Sequence, residues 1–421
     1  MKKIYKTKKG KMNKRTILKN ILINLAKKTL EKYNPQIIGI TGNVGKTSTK
    51  EAVDLVVKTK FKTWKTNKNE NTTIGVCLTI LGLSRADSNI FKWIKNIFKA
   101  KLQLIKTNPD YPEVLILELA ADHPNDIKEI CSFVKPDIGI ITNIGKYPTH
   151  LSNFKKIEKI YKEKSELIKA LKSDGIAILN KDNKDIYDFR TLTKAKVISY
   201  GFDSSADVCG SNYSIKQNDK IEKTSMYFRV NYGTNIAPFE IEGILGEGYV
   251  YAFLAAISIG LYYEMNLINI CESLEKYTAV NGRFNFKKGI KQTTIIDDSY
   301  NASPSSVENA LNIFKELQSK RKVLVFGDML ELGKESINGH NFIADKITES
   351  KVDYVILVGT EVLHTKKHLI KKGYDEDNIL YFENSNKLAN HIDKIISKND
   401  LILFKASNGI NLSKVIKKII Q

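Results

Sequence analysis

The chain has 421 residues, of which 42% are apolar, and it carries a formal net charge of +21. This length exceeds what one hydrophobic core usually organises, so we expect two or three domains in a globular protein. The apolar stretches are shorter than the roughly 20 residues that cross a bilayer, and the four cysteines are too scattered for a disulfide framework or a zinc site. We therefore expect no transmembrane helix, and we expect the cysteines to be buried as small apolar residues.

The N-terminal region is strongly basic. Its first twenty residues, MKKIYKTKKGKMNKRTILKN, form the densest cationic run, whereas the other lysines are spread along the whole chain. This distribution favours a solvated tail over a specific nucleic-acid site, and a basic surface would also suit a substrate with phosphates. Apolar residues at helical spacing predict a helix over 15–32, which Asn34 and Pro35 should end. Because the region lacks a small-residue cleavage site, we expect a cytoplasmic protein.

Apolar strands alternate with helical segments from residue 36 onward. The strand segments QIIGITG, VLILELA, DIGIITNIG, GIAILN and KVISYG predict βαβ units and a mainly parallel sheet. Shorter polar and apolar alternations between Asp203 and Gly243 predict a small antiparallel addition, and a helix should follow from Tyr249 to Tyr263. A second α/β series then begins, with the strand segments TTIIDDS, KVLVFGD, YVILVG, NILYF and LILFKAS.

This order of elements predicts an α/β protein in three parts. Residues 1–36 form a basic N-terminal tail and helix. Residues 37–280 form a central P-loop ATPase domain with a mainly parallel sheet, and the boundary after it lies near Val280. Residues 281–421 form a C-terminal Rossmann-like α/β domain.

A phosphate-binding loop, GITGNVGKTST, extends from Gly39 to Thr49. A strand, a glycine-rich turn and a helix that begins with Lys-Thr are typical of sites where backbone N–H groups hold phosphates. The strict Walker pattern is not met, because Ile40 occupies its first glycine position, and the loop instead reads TGxxGKT[ST]T. Lys46 should reach the β- and γ-phosphates of ATP, and Thr47 should bind Mg²⁺; a glycine turn with a chance lysine is the alternative. The residues expected around the nucleotide are Thr41, Gly42, Asn43, Val44, Gly45, Lys46, Thr47 and Ser48.

Further motifs follow this loop in a fixed order. They are NENTTIGVCLTIL, LELAADHPNDI, ITNIGKYPTHL, YKEKSELI, NGRF, DDSYNASPSSVENAL and VFGDMLELG. Together with the loop they resemble the Mur ligases, which build the peptide stem of bacterial peptidoglycan, over nearly everything after Pro35. The resemblance implies an ATP-dependent amide ligase that activates a carboxylate as an acyl phosphate. The pairing of DDSYNAxP with GDMLELG implies a UDP-muramoyl tripeptide and D-alanyl-D-alanine as substrates, and we expect a monomer with no specific nucleic-acid partner.

The resemblance also implies roles for residues outside the loop. Glu118 matches a Mg²⁺ ligand, and His150 could bind a second Mg²⁺ or orient its ligands. Lys164 matches the lysine that many Mur ligases carry as a carbamate, and Arg283 could clamp the γ-phosphate when the domains close. The expected catalytic residues are Lys46, His150, Lys164 and Arg283. The expected metal ligands are Thr47, Glu118, His150 and the carbamate of Lys164.

Each of these residues also has a purely structural interpretation. Glu118 could be a buried structural carboxylate, Lys164 one more lysine on a solvated helix face, and His150 a loop histidine without a role. Asp298 and Asn301 lie in a polar cluster that the resemblance places at the nucleotide, although a simple turn would have the same composition. Asn180, with Asp182, matches a nucleotide-contacting NxD segment. His123 is a second candidate histidine, although an exposed residue at the start of a helix is the simpler interpretation.

The sequence departs from the family pattern at two places. The helix on the adenine side opens with GYVYA at 248–252 instead of an HNxxN-like sequence, so recognition of the base must differ. Only about 36 residues precede the first strand, so we expect the family's domain for the uridine diphosphate sugar to be missing.

Other functions stay open at this point. They are a Mur-like ligase of the poly-glutamate or folate type, a P-loop ATPase switch that needs no amine, and a catalytically silent binding module. The basic amphipathic segment 89–106 should either pack on the ATPase domain or attach weakly to a membrane surface.

Overall fold

The computed structural model describes residues 14–67, 70–86, 89–145, 147–148 and 151–421. Nine strands form the first sheet, and the central strands carry runs of Ile, Val and Leu because helices cover both of its faces. They are β1 (Gln36–Thr41), β2 (Thr63–Lys65), β3 (Val114–Glu118), β4 (Ile138–Ile141), β5 (Ile176–Asn180), β6 (Lys196–Gly201), β7 (Val208–Lys216), β8 (Ser225–Tyr232) and β9 (Asn235–Glu242). Their order is β2-β3-β1-β4-β5-β6-β7-β8-β9, parallel as far as β7 and antiparallel beyond it.

Ten α-helices accompany this sheet in the described part of the chain. They are α1 (Lys14–Tyr33), α2 (Lys46–Val57), α3 (Thr73–Ile80), α4 (Ile90–Ile105), α5 (Asp126–Cys131), α6 (Leu151–Phe154), α7 (Ile157–Lys169), α8 (Lys184–Tyr187), α9 (Glu247–Tyr262) and α10 (Leu267–Leu274). Alternate residues of β1 serve the two faces, since Ile38 and Ile40 pack with α2 and α9 while Ile37 packs on the other side. The first sheet is therefore the middle layer of a three-layer arrangement.

In the described part of the chain, a second sheet of six strands follows. Its elements in chain order are β10 (Asn285–Lys288), β11 (Thr294–Asp298), α11 (Pro304–Glu316), β12 (Lys322–Gly327), α12 (Ser336–Glu349), β13 (Tyr354–Val358), α13 (Val362–Lys371), β14 (Ile379–Phe382), α14 (Ser385–Ala389), α15 (Ile392–Ile395), β15 (Leu401–Lys405) and α16 (Ser413–Ile419). The strand order is β10-β11-β15-β12-β13-β14, and only β10 is antiparallel to its neighbour. The α/β fold class that the sequence predicts is thus confirmed.

The structure adds two strands that the sequence analysis did not predict. Strand β2 has only three residues, and β10 has four residues with no apolar run. Both lie at a sheet edge, where one neighbour is enough to hold a short strand. Such strands leave no periodic signal in the sequence.

Buried side chains connect the two sheets. One core cluster contains Ile38 and Phe253 beside the first sheet together with Leu324 and Leu403 of the second. The domain limits inferred from the sequence stay a prediction. All four cysteines are buried with free thiols, as expected. Across the described residues, every helix is too short or too polar to span a membrane.

Candidate active site

The phosphate-binding loop joins β1 to α2. Gly42 has a φ of 150°, and a Cβ added there would lie 1.9 Å from the Thr142 hydroxyl oxygen. Gly45 has a φ of 89° and immediately precedes α2. Both positions require glycine, because backbone with positive φ strains other residues and the first position has no room for a side chain. The loop therefore brings the first turn of α2, whose N–H groups have no acceptor within the helix, to face a cleft.

The segment that follows β4 anchors this loop. The backbone N–H groups of Asn43 and Val44 donate to the carbonyl oxygen of Asn143 at 2.8 and 3.1 Å. Lys46 folds back over the loop, where its Nζ donates to the carbonyl oxygens of Gly42 at 2.8 Å and Asn43 at 3.3 Å. Burial lowers the pKa of Lys46, an effect that the Glu118 carboxylate partly opposes. A phosphate could replace these carbonyl oxygens as the partner of the cation.

Glu118 ends β3 beside the loop and is 5% exposed. Its carboxylate accepts hydrogen bonds from the Thr47 hydroxyl at 3.1 Å and the Asn71 amide at 3.0 Å, and Lys50 Nζ lies 3.7 Å away. A carboxylate and a hydroxyl are the oxygen donors that Mg²⁺ prefers. The described residues contain no group of three or more His, Cys, Asp or Glu that could hold a metal. The donor set thus suits Mg²⁺ that is shared with phosphates, because such an ion needs only one or two carboxylates from the protein.

Lys164 lies on α7 with 2% of its surface exposed. Its Nζ donates to the carbonyl oxygen of Gly42 at 2.8 Å, the same oxygen that accepts from Lys46. Burial, assisted by the neighbouring Lys46 charge, lowers the pKa of Lys164 well below its ordinary value. The interpretation of Lys164 as a lysine on a solvated helix face is therefore wrong. The structure instead places a deprotonation-prone amine beside the phosphate loop.

Arg283 reaches the loop from the beginning of the second α/β unit. Its Nη2 lies 3.5 Å from the Thr47 hydroxyl oxygen, and its guanidinium carbon lies 4.5 Å from the centre of the Tyr300 ring. The buried Nε has no hydrogen-bond partner among the described residues. A buried donor of this kind normally has an acceptor, so the geometry leaves Arg283 able to bind an anion in the cleft.

The carboxyl ends of β11 and β15 carry an ion pair on the opposite wall. The Asp298 carboxylate lies 2.7 Å from Lys405 Nζ, which also donates to the carbonyl oxygen of Asn301 at 2.8 Å. Burial raises the pKa of Asp298 and lowers that of Lys405, while their attraction opposes both shifts. Lys405 thereby ties the loop that contains Asn301 to the second sheet.

These residues converge on one cleft of about 390 Å³ at the carboxyl ends of strands from both sheets. Such an edge is the usual ligand site of parallel α/β folds. The predicted residues that line it are Gly42, Asn43, Val44, Gly45, Lys46, Thr47, Ser48, Glu118, Lys164, Arg283, Asp298 and Asn301.

Other predicted residues lie elsewhere. Thr41 is fully buried and its hydroxyl donates to the carbonyl oxygen of Leu119 at 2.8 Å. Asn180 is also buried, and its side-chain oxygen accepts from the N–H of Asp182 at 3.0 Å. Neither lines the cleft. His150 lies outside the described residues, and His123 is exposed before α5 as its simpler interpretation expected.

Several side chains of the cleft were not predicted from the sequence. Asn71 holds the Glu118 carboxylate, and Tyr300 stacks on Arg283. Asn71 lies in NENTT and Tyr300 lies in DDSYN, two of the motifs that resemble the Mur ligases. Their position in these motifs was the one feature of the sequence that could have indicated a place in the site. Tyr249 also lines the cleft and donates from its hydroxyl to the carbonyl oxygen of Arg283 at 2.6 Å, a contact between distant segments that no local pattern indicates.

A smaller cavity of about 260 Å³ opens on the other side of the phosphate loop. Glu247, Gly248 and Tyr251 from the first turns of α9 line it, with Asn309 and Asn312 of α11. Tyr251 donates from its hydroxyl to the Asp182 carboxylate at 2.8 Å. The GYVYA segment therefore lies at the wall of this cavity, where small and aromatic residues replace the amide side chains expected from the family pattern.

Two protein-family models match the chain. The Mur ligase middle domain matches residues 40–260, and the Mur ligase glutamate ligase domain matches residues 282–408. The UDP-N-acetylmuramoyl-tripeptide–D-alanyl-D-alanine ligase of Bacillus subtilis is 29% identical over 409 residues, which cover 95% of this chain and 79% of that protein.

Solved structures give the same picture for the fold. MurF from Acinetobacter baumannii matches with a TM-score of 0.78 at 22% identity, covering 95% of this chain and 80% of that one. MurF from Thermotoga maritima in complex with ADP matches with a TM-score of 0.77 at 22% identity, covering 99% of this chain and 86% of that one. The likeness in fold therefore extends across both sheets.

Proposed function

This chain belongs to the Mur ligase family, and from that premise we propose that it uses ATP to join a peptide carboxylate to an amine. The observation that carries the proposal is the convergence of Lys46, Glu118, Lys164 and Arg283 on one cleft between the two sheets. Because the relatives are named for that reaction, the proposed substrates are a UDP-N-acetylmuramoyl tripeptide and D-alanyl-D-alanine. We also propose that the protein acts as a monomer in the cytoplasm, as expected from its sequence.

The proposed reaction has two steps. A carboxylate oxygen of the tripeptide attacks the γ-phosphorus of ATP, ADP leaves, and an acyl phosphate forms. The amine nitrogen then attacks the acyl carbon, loses a proton, and expels phosphate that carries one oxygen of the original carboxylate. Lys46 and Arg283 would neutralise the charge on the transferred phosphoryl group and orient it. A closed cleft protects the acyl phosphate from water.

Magnesium fits the oxygen donors beside the loop. Glu118 and Thr47 would hold it together with phosphate oxygens, with His150 and a carbamate on Lys164 as further proposed ligands. When bound, Mg²⁺ neutralises charge on the phosphates. Asp298 and Asn301 would contact the nucleotide from the second sheet.

The burial of Lys164 supports the proposed carbamate. Carbon dioxide reacts only with a neutral amine, forming N-carboxylate and releasing a proton, and the lowered pKa of Lys164 increases the neutral fraction. The amine is neutral above its folded-state pKa, so carbamate-dependent activity should decline as pH falls through that value. Lys164→Ala should lower ligation by about a hundredfold, since a metal ligand would be lost.

Chemical rescue tests the carbamate directly. A short-chain carboxylic acid should restore part of the Lys164→Ala activity, because it can occupy the space of the missing N-carboxylate. Lys162→Ala removes an exposed lysine from the same helix and should leave activity unchanged. A Lys164→Ala enzyme with full activity, or one that no acid rescues, would contradict the carbamate.

Arg283→Lys should lower kcat by roughly a hundredfold with a smaller effect on KM for ATP, because lysine keeps the charge but cannot form two parallel hydrogen bonds. Steady-state kinetics of ligation would measure both constants. Arg190→Lys is the matched control, since Arg190 also lies over a tyrosine ring, that of Tyr187 at 4.2 Å, but outside the cleft. Equal effects of the two substitutions would argue against a role for Arg283 in the reaction.

The proposed activity is tested by product analysis. The protein is mixed with Mg-ATP, UDP-muramoyl tripeptide labelled with ¹⁸O in its terminal carboxylate, and D-alanyl-D-alanine, and the products are identified by mass spectrometry. We expect the joined pentapeptide and one ¹⁸O atom in the released phosphate. ATP hydrolysis that proceeds equally without the amine would favour an ATPase switch. Product from another carboxylate and amine would retain the chemistry and change the substrates.

A further inference from the structure

Helix α4 (Ile90–Ile105) displays an apolar stripe to solvent. The Asn89 side chain accepts from the backbone N–H of Lys92 at 2.9 Å and so caps the start of this helix. Its stripe residues are Ile90, Phe91, Ile94, Phe98, Leu102 and Ile105, and each exposes at least 40% of its surface, with Phe91 at 85%. Single exposed apolar residues are common, whereas a contiguous stripe of six large ones marks an interaction surface.

The opposite side of α4 is already packed. Asn96 and Ala100 are buried, and Trp93, Ile97 and Leu104 pack against the core beside the first sheet. At about 100° per residue, these five positions form one face and the stripe forms another. The stripe is therefore not the side that the fold needs for its own core.

Contacts with α1 hold the helix in place. Lys32 Nζ donates to the carbonyl oxygens of Gln103 and Leu104 at 3.0 and 3.1 Å, and the Tyr33 hydroxyl donates to Gln103 at 3.1 Å. A cation at the carboxyl end of a helix is favourable for the helix dipole. Helix α1 also exposes Ile17 and Ile21, which adds to the apolar surface around α4.

The charges around the stripe favour one class of partner. The helix contains four exposed lysines and no acidic residue, and a fifth exposed lysine, Lys106, follows its last residue. Lys92, Lys95, Lys99 and Lys106 follow one edge of the stripe at the helical repeat, and Lys101 lies within it. Long lysine stems can lie along an apolar surface while the ammonium groups reach outward. This arrangement places cations at the level of lipid headgroups when the apolar stripe enters the acyl region.

We propose that α4 is an interfacial helix that attaches this protein to an anionic lipid bilayer. A second copy of the chain is a poorer partner, because a two-fold contact through the stripe would bring the same lysines against each other. The basic N-terminal residues of the sequence supply further attraction for anionic lipid. The helix also lies near the candidate active site, since Trp93 of its packed face lines a cavity with Thr72, and Thr72 also lines the cleft.

Vesicle cosedimentation tests this proposal with the full chain and without any ligase substrate, so its outcome is independent of the proposed activity. At low salt the protein should sediment with phosphatidylglycerol vesicles and not with phosphatidylcholine vesicles. Phe91→Glu with Phe98→Glu should reduce the bound fraction by about tenfold or more, because two charges would enter the acyl region. Ile236→Glu with Ile268→Glu is the matched control, since these isoleucines are 65% and 61% exposed but lie outside the stripe.

Each other outcome overturns the proposal. Wild-type protein that ignores phosphatidylglycerol vesicles at low salt shows that the stripe does not bind a bilayer. If the wild type and the phenylalanine variant bind the vesicles equally, the basic N-terminal residues and not the stripe are responsible for binding. If the wild type is a dimer, the phenylalanine variant is a monomer and neither binds vesicles, the stripe is the contact surface for a second copy of the chain. Circular dichroism melting of all variants checks that these exposed substitutions leave the fold intact.

Discussion

Lys46→Ala is expected to lower ligation by about a thousandfold, the largest effect of any single substitution considered. Lys46 begins the helix that follows the phosphate loop, and its Nζ donates to two loop carbonyl oxygens. The transferred phosphoryl group would replace these carbonyl oxygens as the partner of Lys46. With alanine at this position, the negative charge of the phosphoryl group would lack this cation in a poorly solvated site. Loss of one preorganised electrostatic contact typically costs a hundred- to about a thousandfold in rate. The measurement is the rate of ADP release and of product formation under saturating substrates.

Lys58→Ala is the matched control for this change. Lys58 follows the same helix and is exposed to solvent, outside the cleft. It should retain full activity, and both variants should melt like the wild type because neither lysine is part of a hydrophobic contact that the fold requires. If Lys46→Ala retained more than about a tenth of the ligation rate, the assignment of the loop lysine to phosphate binding would be untenable.

Glu118→Gln is expected to lower ligation by roughly a hundredfold and to raise the Mg²⁺ concentration needed for half-maximal rate. The substitution keeps the shape of the side chain and its hydrogen bonds with Thr47 and Asn71 but removes the charge that a hard cation prefers. A titration of rate against Mg²⁺, at saturating ATP, separates weakened metal binding from a general loss of activity. An unchanged Mg²⁺ requirement would support the alternative of a structural carboxylate.

The control must account for Lys50, which is buried between Glu118 and Glu51 at 3.7 and 3.3 Å. Removing either carboxylate weakens the surroundings of this lysine, which can lower stability. Glu51→Gln also removes a carboxylate beside Lys50, together with the ion pair of Glu51 with Lys65, without altering the cleft, since Glu51 does not line it. We therefore expect both variants to melt at lower temperature than the wild type, while only Glu118→Gln changes the Mg²⁺ requirement.

The phosphate loop shows how far local sequence information reaches. Its two glycines fix the backbone through positive φ values at Gly42 and Gly45, and the residues that follow must begin a helix. The apolar runs likewise predicted the buried strands, because a strand covered on both faces needs apolar residues at every position. The short edge strands β2 and β10 escaped prediction because they have too few residues to form a pattern.

Helix α4 marks the limit of periodicity as a guide. Apolar residues at helical spacing predicted an amphipathic helix, but the pattern could not tell which face would meet the core. The face with Trp93, Asn96 and Ala100 packs against the core beside the first sheet. The six residues of the stripe point to solvent, and only the position of α1 and the first sheet beside the helix decided between the two faces.

The α/β class, the phosphate loop and the family could all be predicted from the amino-acid sequence, because they depend on local backbone preferences and on motifs of neighbouring residues. Which charged side chains share one environment became clear only from the folded chain. Lys164 appears in the sequence as one of many lysines, yet it is 2% exposed and meets Lys46 at a single carbonyl oxygen. Arg283 meets Thr47 across 236 positions of the chain. Such burial and proximity arise only when the two sheets close around a cleft. They lower the pKa values of Lys46 and Lys164 and leave Arg283 Nε without a hydrogen-bond partner among the described residues, and the proposed chemistry depends on both.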